Sequence, residues 1–464
     1  LIYLTISNNI RLEPVSSIHK DIVIALKAQF TFVNSQYNPI KKRAVKTVIR
    51  KYKEYKNCLV LPRGGINHVI DILKMSDIPY RLIDKRRKLP EYDFKFYGKL
   101  WDYQEPLVEK SLNRQFGTIC AVTGGGKTVM GNYIISQRKQ PTLVMVRTER
   151  LARQWVEEVE KFLGVPKEQV GFIGDGRVDI APHITIGIIP TLFKNVDKIK
   201  HHFGFVICDE VHRIVARTFA EVIGKLDTKF MLGLSATFKR RDGLHPLIHW
   251  YIGDMVASVS RDEVETRGKV MKPHIILRFT NFYSKLNDPT WQRADLITEI
   301  INDPKRNRMI MRDLSIDLAN NPGILMVMTE RQEHCEILNY LFNSNGLDST
   351  YIHGGLPTKQ KDSIMQELKE GKIKILIATD ALLGEGFDCP EITSLFLTTP
   401  ISFETRLIQV VGRALRYHEG KITPKVYDYQ DLFVDVLERA ALNRNRLYKK
   451  IADNPQDVCR GKKK

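Results

Sequence analysis

Thr118-Ile119-Cys120-Ala121-Val122-Thr123-Gly124-Gly125-Gly126-Lys127-Thr128 is the stretch on which the reading of this chain turns. Thr118-Ile119-Cys120 reads as a strand, the three glycines as a tight loop, and Lys127-Thr128 as the opening of a helix. Glycines let backbone N–H groups converge on an anion without Cβ clashes. The helix N-terminus behind them adds a partial positive charge. Lys127 can reach the β- and γ-phosphates of a nucleoside triphosphate, and the Thr128 hydroxyl can ligate Mg²⁺. The match is to the last part of the phosphate-loop pattern, with Ala121 where the strict pattern has glycine. Thr123, Gly124, Gly125, Gly126, Lys127 and Thr128 are therefore the candidate nucleotide contacts.

Around this loop, the chain from about 95 to 237 alternates short apolar runs with amphipathic stretches. Thr142–Val146 is apolar throughout, as expected of a strand buried on both faces. Leu151, Trp155, Val159 and Phe162 recur at helical spacing. Phe205–Cys208 and Met231–Leu234 read as further buried strands, giving the rhythm of βαβ units on a parallel sheet. Asp209-Glu210-Val211-His212 follows the first of these directly. The carboxyl end of a parallel strand is where α/β sheets place ligand chemistry. Asp209 is the candidate Mg²⁺ ligand, directly or through water. Glu210 is the candidate to orient or deprotonate an attacking water. His212 is assigned to coupling, with a helix cap as the plainer role.

The same rhythm restarts at about 323. Ile324–Met328, Lys374–Thr379 and Ser394–Thr398 read as strands, with a helix around 331–344. Between the two α/β stretches, residues 241–322 are irregular and charged and read as a connector. Residues 1–90 read as a small mixed domain, with a helix at Ile22–Leu26 and a basic helix-like segment starting at Lys41. Lys85–Pro90 reads as a linker. The expected domains are 1–90, 91–240, 241–322 and 323–445, with a basic tail at 446–464.

Composition narrows the function. The 464 residues carry 72 Lys and Arg against 53 Asp and Glu, a net +19, and 43% are hydrophobic. Residues 1–90 alone hold 18 basic and 6 acidic side chains, a net +12. A positive field concentrated at one end favours a polyanionic partner. No run of about 18 apolar residues occurs, so a membrane span is not expected. No basic segment leads a long apolar stretch at the start, so no secretory leader is expected. None of the six cysteines is spaced as CxxC, which disfavours a structural zinc site or a disulfide framework and fits a reducing cytoplasm.

Gly126-Lys127-Thr128, Asp209-Glu210-Val211-His212 and Ser235-Ala236-Thr237, in that order, resemble the first recA-like domain of superfamily 2 helicases. In the second half, Tyr351-Ile352-His353-Gly354-Gly355 resembles a nucleic-acid motif of that family. Ala378-Thr379-Asp380 with Gly384-Glu385-Gly386-Phe387-Asp388 resembles its motif V, and Gln409-Val410-Val411-Gly412-Arg413-Ala414-Leu415-Arg416 its motif VI. Within the superfamily, the layout is similar to UvsW-like phage recombination helicases and to XPB-like helicases. The resemblance implies an α/β chain with two tandem recA-like parallel-sheet domains preceded by a small basic N-terminal domain. It also implies residue roles. Gln104 reads adenine and Asp388 contacts the ribose; Gln409, Arg413 and Arg416 act in hydrolysis. His212, Ser235 and Thr237 couple hydrolysis to movement, while His353, Gly354 and Thr379 contact nucleic acid. Arg413 and Arg416, at i and i+3, present a doubly cationic ridge that can stabilise a phosphoryl-transfer transition state.

The expected function is an ATP- and Mg²⁺-dependent DNA helicase acting on branched DNA in phage replication, recombination or repair. Its expected partners are single-stranded or branched DNA and recombination or replication proteins. It is expected to act as a monomer in the host cytoplasm, without a membrane. Three other readings stand beside it: an RNA helicase, the motor subunit of a restriction system, and a binding module that keeps the fold without turnover.

Overall fold

The computed structural model describes residues 1–38, 43–122, 125–211, 217–236, 243–259, 271–290, 292–321, 323–379, 389, 391–401, 411, 423–455 and 457. It divides into two compact units, Leu1–Arg261 and Asp262–Lys464.

The first unit opens with β1 (Ile2–Ile6), β2 (Asn9–Glu13), α1 (Lys20–Gln29), β3 (Thr31–Asn38), β4 (Arg43–Arg50), β5 (Lys53–Tyr55), β6 (Cys58–Pro62), α2 (Ile66–Met75) and β7 (Tyr80–Asp84). Five of these strands form one sheet, in the order β5-β6-β2-β1-β7. The β1–β7 pairing is parallel and the others antiparallel. Helices α1 and α2 bury Leu26, Val69 and Leu73 in a core shared with Leu4, Ile10 and Leu59 of the sheet. Strands β3 and β4 pair separately as an antiparallel hairpin, from Thr31↔Arg50 to Asn38↔Arg43. The basic segment read as helix-like is thus a strand from Arg43 onward. Val45, Thr47, Val48 and Ile49 are β-branched and suit a pleated strand better than a helix.

Buried contacts fasten this small domain to the larger α/β part of the same unit. Arg63 is almost fully buried, and its Nη1 donates to the carbonyls of Leu226 and Thr228, both at 3.1 Å. Burial pulls its pKa down to about 10, so the guanidinium stays charged at neutral pH. A Cβ on the neighbouring Gly64 would lie 2.2 Å from the carbonyl oxygen of His249, so only glycine fits this approach. Phe30 and Phe32 pack on Trp250 with ring centroids 5.8 and 5.4 Å away.

The rest of the unit is α3 (Glu105–Leu112), β8 (Phe116–Ala121), α4 (Lys127–Arg138), β9 (Thr142–Val146), α5 (Glu149–Leu163), β10 (Gly171–Gly174), β11 (Arg177–Val178), β12 (Ile184–Ile188), α6 (Ile189–Ile199), β13 (Phe205–Cys208), α7 (Arg217–Ile223), β14 (Phe230–Ser235), α8 (Pro246–Ile252) and β15 (Met255–Val259). The sheet runs β11-β10-β12-β9-β13-β14-β8-β15, parallel except for the edge strand β11. The helical stripe of α5 is turned by one position from the sequence reading. Ala152, Trp155, Val159 and Leu163 are its buried face, while Phe162 stacks on Phe96 with centroids 6.0 Å apart.

The second unit holds β16 (His274–Phe279), α9 (Arg293–Ile301), α10 (Pro304–Asn320), β17 (Ile324–Thr329), α11 (Gln332–Asn343), β18 (Ser349–Ile352), α12 (Thr358–Lys369), β19 (Ile375–Thr379), β20 (Ile392–Leu397), β21 (Lys425–Gln430) and α13 (Asp435–Ile451). Its sheet is parallel throughout, in the order β16-β21-β20-β17-β19-β18. Of the stretch read as an irregular connector, β15 joins the first sheet and β16 the second. Buried polar groups tie this unit together. Arg306, on α10, pairs with Asp431 at 3.0 Å, and both side chains are only 1% exposed. His334 sits between Thr329 Oγ1 and Asn307 Oδ1, and burial drives its pKa down to about 3, so it is neutral.

Candidate active site

Three adjacent parallel strands, β13, β14 and β8, end at one edge. The register pairs Cys208 with Gly233 and Ser235 with Cys120. Ala121, Asp209 and Ser235 are therefore neighbours at the carboxyl edge, although 26 and 88 residues of chain separate them.

The loop after β8 is built around Gly126. Its φ of +72° is left-handed, and a Cβ there would sit 2.1 Å from Nε2 of Gln104. Glycine is needed on both counts. Gly125 N–H donates to Val122 O at 2.9 Å, closing the turn. Lys127 opens α4, a helix of 12 residues, and its Nζ lies 3.4 Å from Ala121 O and 3.7 Å from Glu210 Oε1. Thr128 is the next residue on that first turn. Gln104 is completely buried at the start of α3. Its Oε1 accepts from Trp101 N–H at 2.9 Å and its Nε2 donates to Gly125 O at 3.1 Å. In this structure the glutamine braces the phosphate loop.

Asp209 is 7% exposed. Its Oδ2 accepts from the Trp155 indole N–H at 2.9 Å and its Oδ1 from Glu210 N–H at 2.8 Å. Burial pushes its pKa up to about 6, reinforced by the Glu210 charge and opposed by the Trp155 bond and Lys127. Glu210 has φ +50°, a left-handed conformation that a non-glycine residue adopts at a cost of about 1–3 kcal/mol. Its Oε1 lies 3.7 Å from Lys127 Nζ. Ser235 is fully buried at the end of β14. The sequence reads Trp155 as core alone. The only signal for more is chemical: a buried indole N–H needs an acceptor, and 54 residues separate it from Asp209.

The residues fit a Mg²⁺-nucleoside triphosphate. A helix N-terminus, a loop whose Gly126 leaves no room for a Cβ and one lysine face a buried carboxylate across the same strand edge. Mg²⁺ takes one or two carboxylates together with phosphate oxygens, and Asp209 and Thr128 are the side chains that would hold it.

In the second unit, Thr379 ends β19, and the register Ile352↔Ala378 puts His353 and Gly354 just beyond the end of the neighbouring β18. The three nucleic-acid candidates thus share one sheet edge. His353 is buried; its Nδ1 accepts from Gly355 N–H at 3.1 Å, and its ring stacks on Tyr351 with centroids 5.6 Å apart. Lys361, which no sequence motif singles out, donates from Nζ to Gly354 O at 2.8 Å. Thr123, Gly124, His212, Thr237, Asp388, Gln409, Arg413 and Arg416 lie outside the described residues.

Residues 97–240 match the family model described as "Type III restriction enzyme, res subunit". Residues 306–418 match the one described as "Helicase conserved C-terminal domain". The chain is 27% identical over 421 residues to "Probable helicase D10" of Escherichia phage T5, covering 88% of this chain and 89% of the relative. It is 24% identical over 347 residues to "ATP-dependent DNA helicase uvsW" of Enterobacteria phage T4, covering 71% and 68%. Among solved structures it is similar in fold to "S. cerevisiae Dbp5 L327V bound to RNA and ADP BeF3". That similarity has a TM-score of 0.56 and 16% identity, covering 78% of this chain and 92% of the other. No helix among the described residues is long and apolar enough to cross a membrane.

Proposed function

We propose, for a chain that belongs to the superfamily 2 helicases and is an ATP-dependent helicase, that its substrate is branched DNA in phage replication, recombination or repair. The observation that carries the motor reading is the strand edge on which Lys127, Asp209 and Glu210 converge. The net +12 on residues 1–90 supports a polyanionic partner, and the similarity to a phage protein named as a DNA helicase supports DNA.

In this reading residues 1–90 are an accessory DNA-binding domain, and 91–240 and 323–445 are the two motor domains. Lys127 and the loop N–H groups hold the triphosphate. Bound Mg²⁺ supplies neutralisation of the phosphate charge. Glu210 orients the attacking water and accepts its proton. Gln104 and Asp388 select the nucleoside, and Gln409, Arg413 and Arg416 supply the cationic side of hydrolysis. His212, Ser235 and Thr237 couple hydrolysis to movement, and Thr379, His353 and Gly354 grip the strand. A motor that works on any sequence grips phosphates rather than base edges. RNA shares those phosphates and is the alternative substrate.

The test is ATP hydrolysis at fixed salt with three added polymers: single-stranded DNA, four-way-junction DNA and single-stranded RNA. Stimulation by DNA, greatest with the junction, is expected. Stimulation by RNA alone keeps the motor and overturns the substrate.

A further inference from the structure

A groove of about 810 Å³ runs where the small domain meets α7 and α8 of the first unit. Its volume lies within the range of ligand sites. Arg50, Lys51 and Lys53 line one wall and Lys225 the other, and Glu221 is the sole carboxylate among its described lining residues. Lys225 is shared with Asp197 at 2.8 Å. Arg50, Lys51 and Lys53 form no ion pair among the described residues.

Strand β5 explains the charge. Side chains alternate between faces along a strand. Lys53 and Tyr55 therefore face the groove together, while Glu54 points away and is held by Lys27 at 2.7 Å. The acidic member of the Lys-Glu-Tyr run is thus removed from the groove and neutralised. The corner before it is fixed by Lys51 N–H donating to Phe30 O at 3.0 Å. Tyr55 is 57% exposed, an aromatic face open to solvent beside two cations.

We propose that this groove binds a single strand of nucleic acid, its phosphates on Arg50, Lys51 and Lys53 and a base stacked on Tyr55. Cations tracking a backbone with an aromatic platform between them are the chemistry of sequence-tolerant single-strand binding. The groove is also lined by Ala220, Glu221, Ile223 and Gly224, on α7 and the turn that ends it, in the chain that follows the Asp209-Glu210 strand end. The inference rests on the reading of the chain as a nucleic-acid motor and adds a strand site outside the motor motifs.

The test uses the whole chain and a 15-nucleotide oligo-dT carrying 5-iodouracil. Photocrosslinking followed by peptide mass spectrometry is expected to place the adduct on Tyr52 or Tyr55. In anisotropy titrations, the Arg50→Ala/Lys53→Ala double variant should bind oligo-dT at least tenfold more weakly. Its log–log salt slope should be shallower by about 1.4, for two lost phosphate contacts. Tyr55→Ala should lose about tenfold and Tyr55→Phe should retain wild-type affinity. ATP hydrolysis without polymer should be unchanged in every variant. Wild-type oligo-dT binding by the variants, with adducts elsewhere, overturns the inference. So does a loss confined to duplex DNA. If no polymer stimulates the wild-type enzyme, the proposed function itself has failed; if polymers stimulate it but the groove variants behave as wild type, only this inference has.

Discussion

The indole N–H of Trp155, on the helix after β9, donates to Oδ2 of Asp209 at 2.9 Å, 54 residues further along the chain. A hydrophobic helix face thereby sets the orientation of the acidic residue that ends β13. The bond favours the ionised carboxylate, against burial and the Glu210 charge, which push the pKa up to about 6.

Trp155→Phe keeps most of the ring and removes the donor. A hydrogen bond to a charged group contributes about 1.5–3 kcal/mol. The variant should fold, should lose roughly tenfold or more in ATP turnover, and should show the acid limb of its kcat/KM profile displaced to higher pH. Wild-type turnover with an unmoved limb would make Trp155 a core residue only.

The sign of the linkage comes from the same carboxyl group. Its pKa in the folded chain is about 6 against an ordinary 3.8. The folded chain therefore holds this proton more tightly than the unfolded one. Its stabilising contribution is fully present below about 3.8 and is lost as pH rises through about 6. Binding of Mg²⁺-nucleotide favours the carboxylate. Calorimetry in buffers of different ionisation enthalpy at about pH 5.5 should therefore show proton release on binding, absent in Asp209→Asn.

Lys127→Ala should abolish ATP turnover, by at least about a hundredfold, while leaving the melting temperature within a few degrees of wild type. Background-level turnover in both proteins would favour a binding module without catalysis.

Gly126→Ala places a Cβ against Gln104 Nε2 in a left-handed backbone. It should cost about 1–3 kcal/mol of stability and weaken nucleotide binding. Pairing it with Gln104→Ala should recover the steric part and leave the backbone part. Full recovery would show that the conformation of residue 126 carries no strain.

Ser235→Ala tests coupling. Ser235 is buried beside Cys120 at the end of the strand next to the phosphate loop. ATP hydrolysis should stay within about threefold of wild type, a change of under about 1 kcal/mol, while strand displacement falls further. Equal loss of both activities would remove the coupling role.

Much of the site is legible without coordinates because its parts are local. Gly126, Lys127 and Thr128 are consecutive, and the strand–loop–helix around them follows from glycine content and apolar periodicity. The two parallel sheets are legible for the same reason: Thr142–Val146 and Phe205–Cys208 are runs with no polar face, and their residues are buried on both sides. Arg43–Arg50 misleads because its basic side chains at 43, 46 and 50 obscure its β-branched residues. Charge says little about backbone preference when a segment lies at a surface.

Short-range spacing and composition alone determine the inventory of the phosphate loop, the acidic strand end and the basic first ninety residues. Which of these meet is decided by the packed fold. The order β13-β14-β8, the Trp155–Asp209 bond, the insertion of Arg63 under Leu226 and Thr228, and the rotation of Glu54 away from the groove all join residues distant in sequence or fix which way a side chain faces. Strand order and the partner of a buried polar group are settled by packing many segments at once, and no local pattern records that outcome.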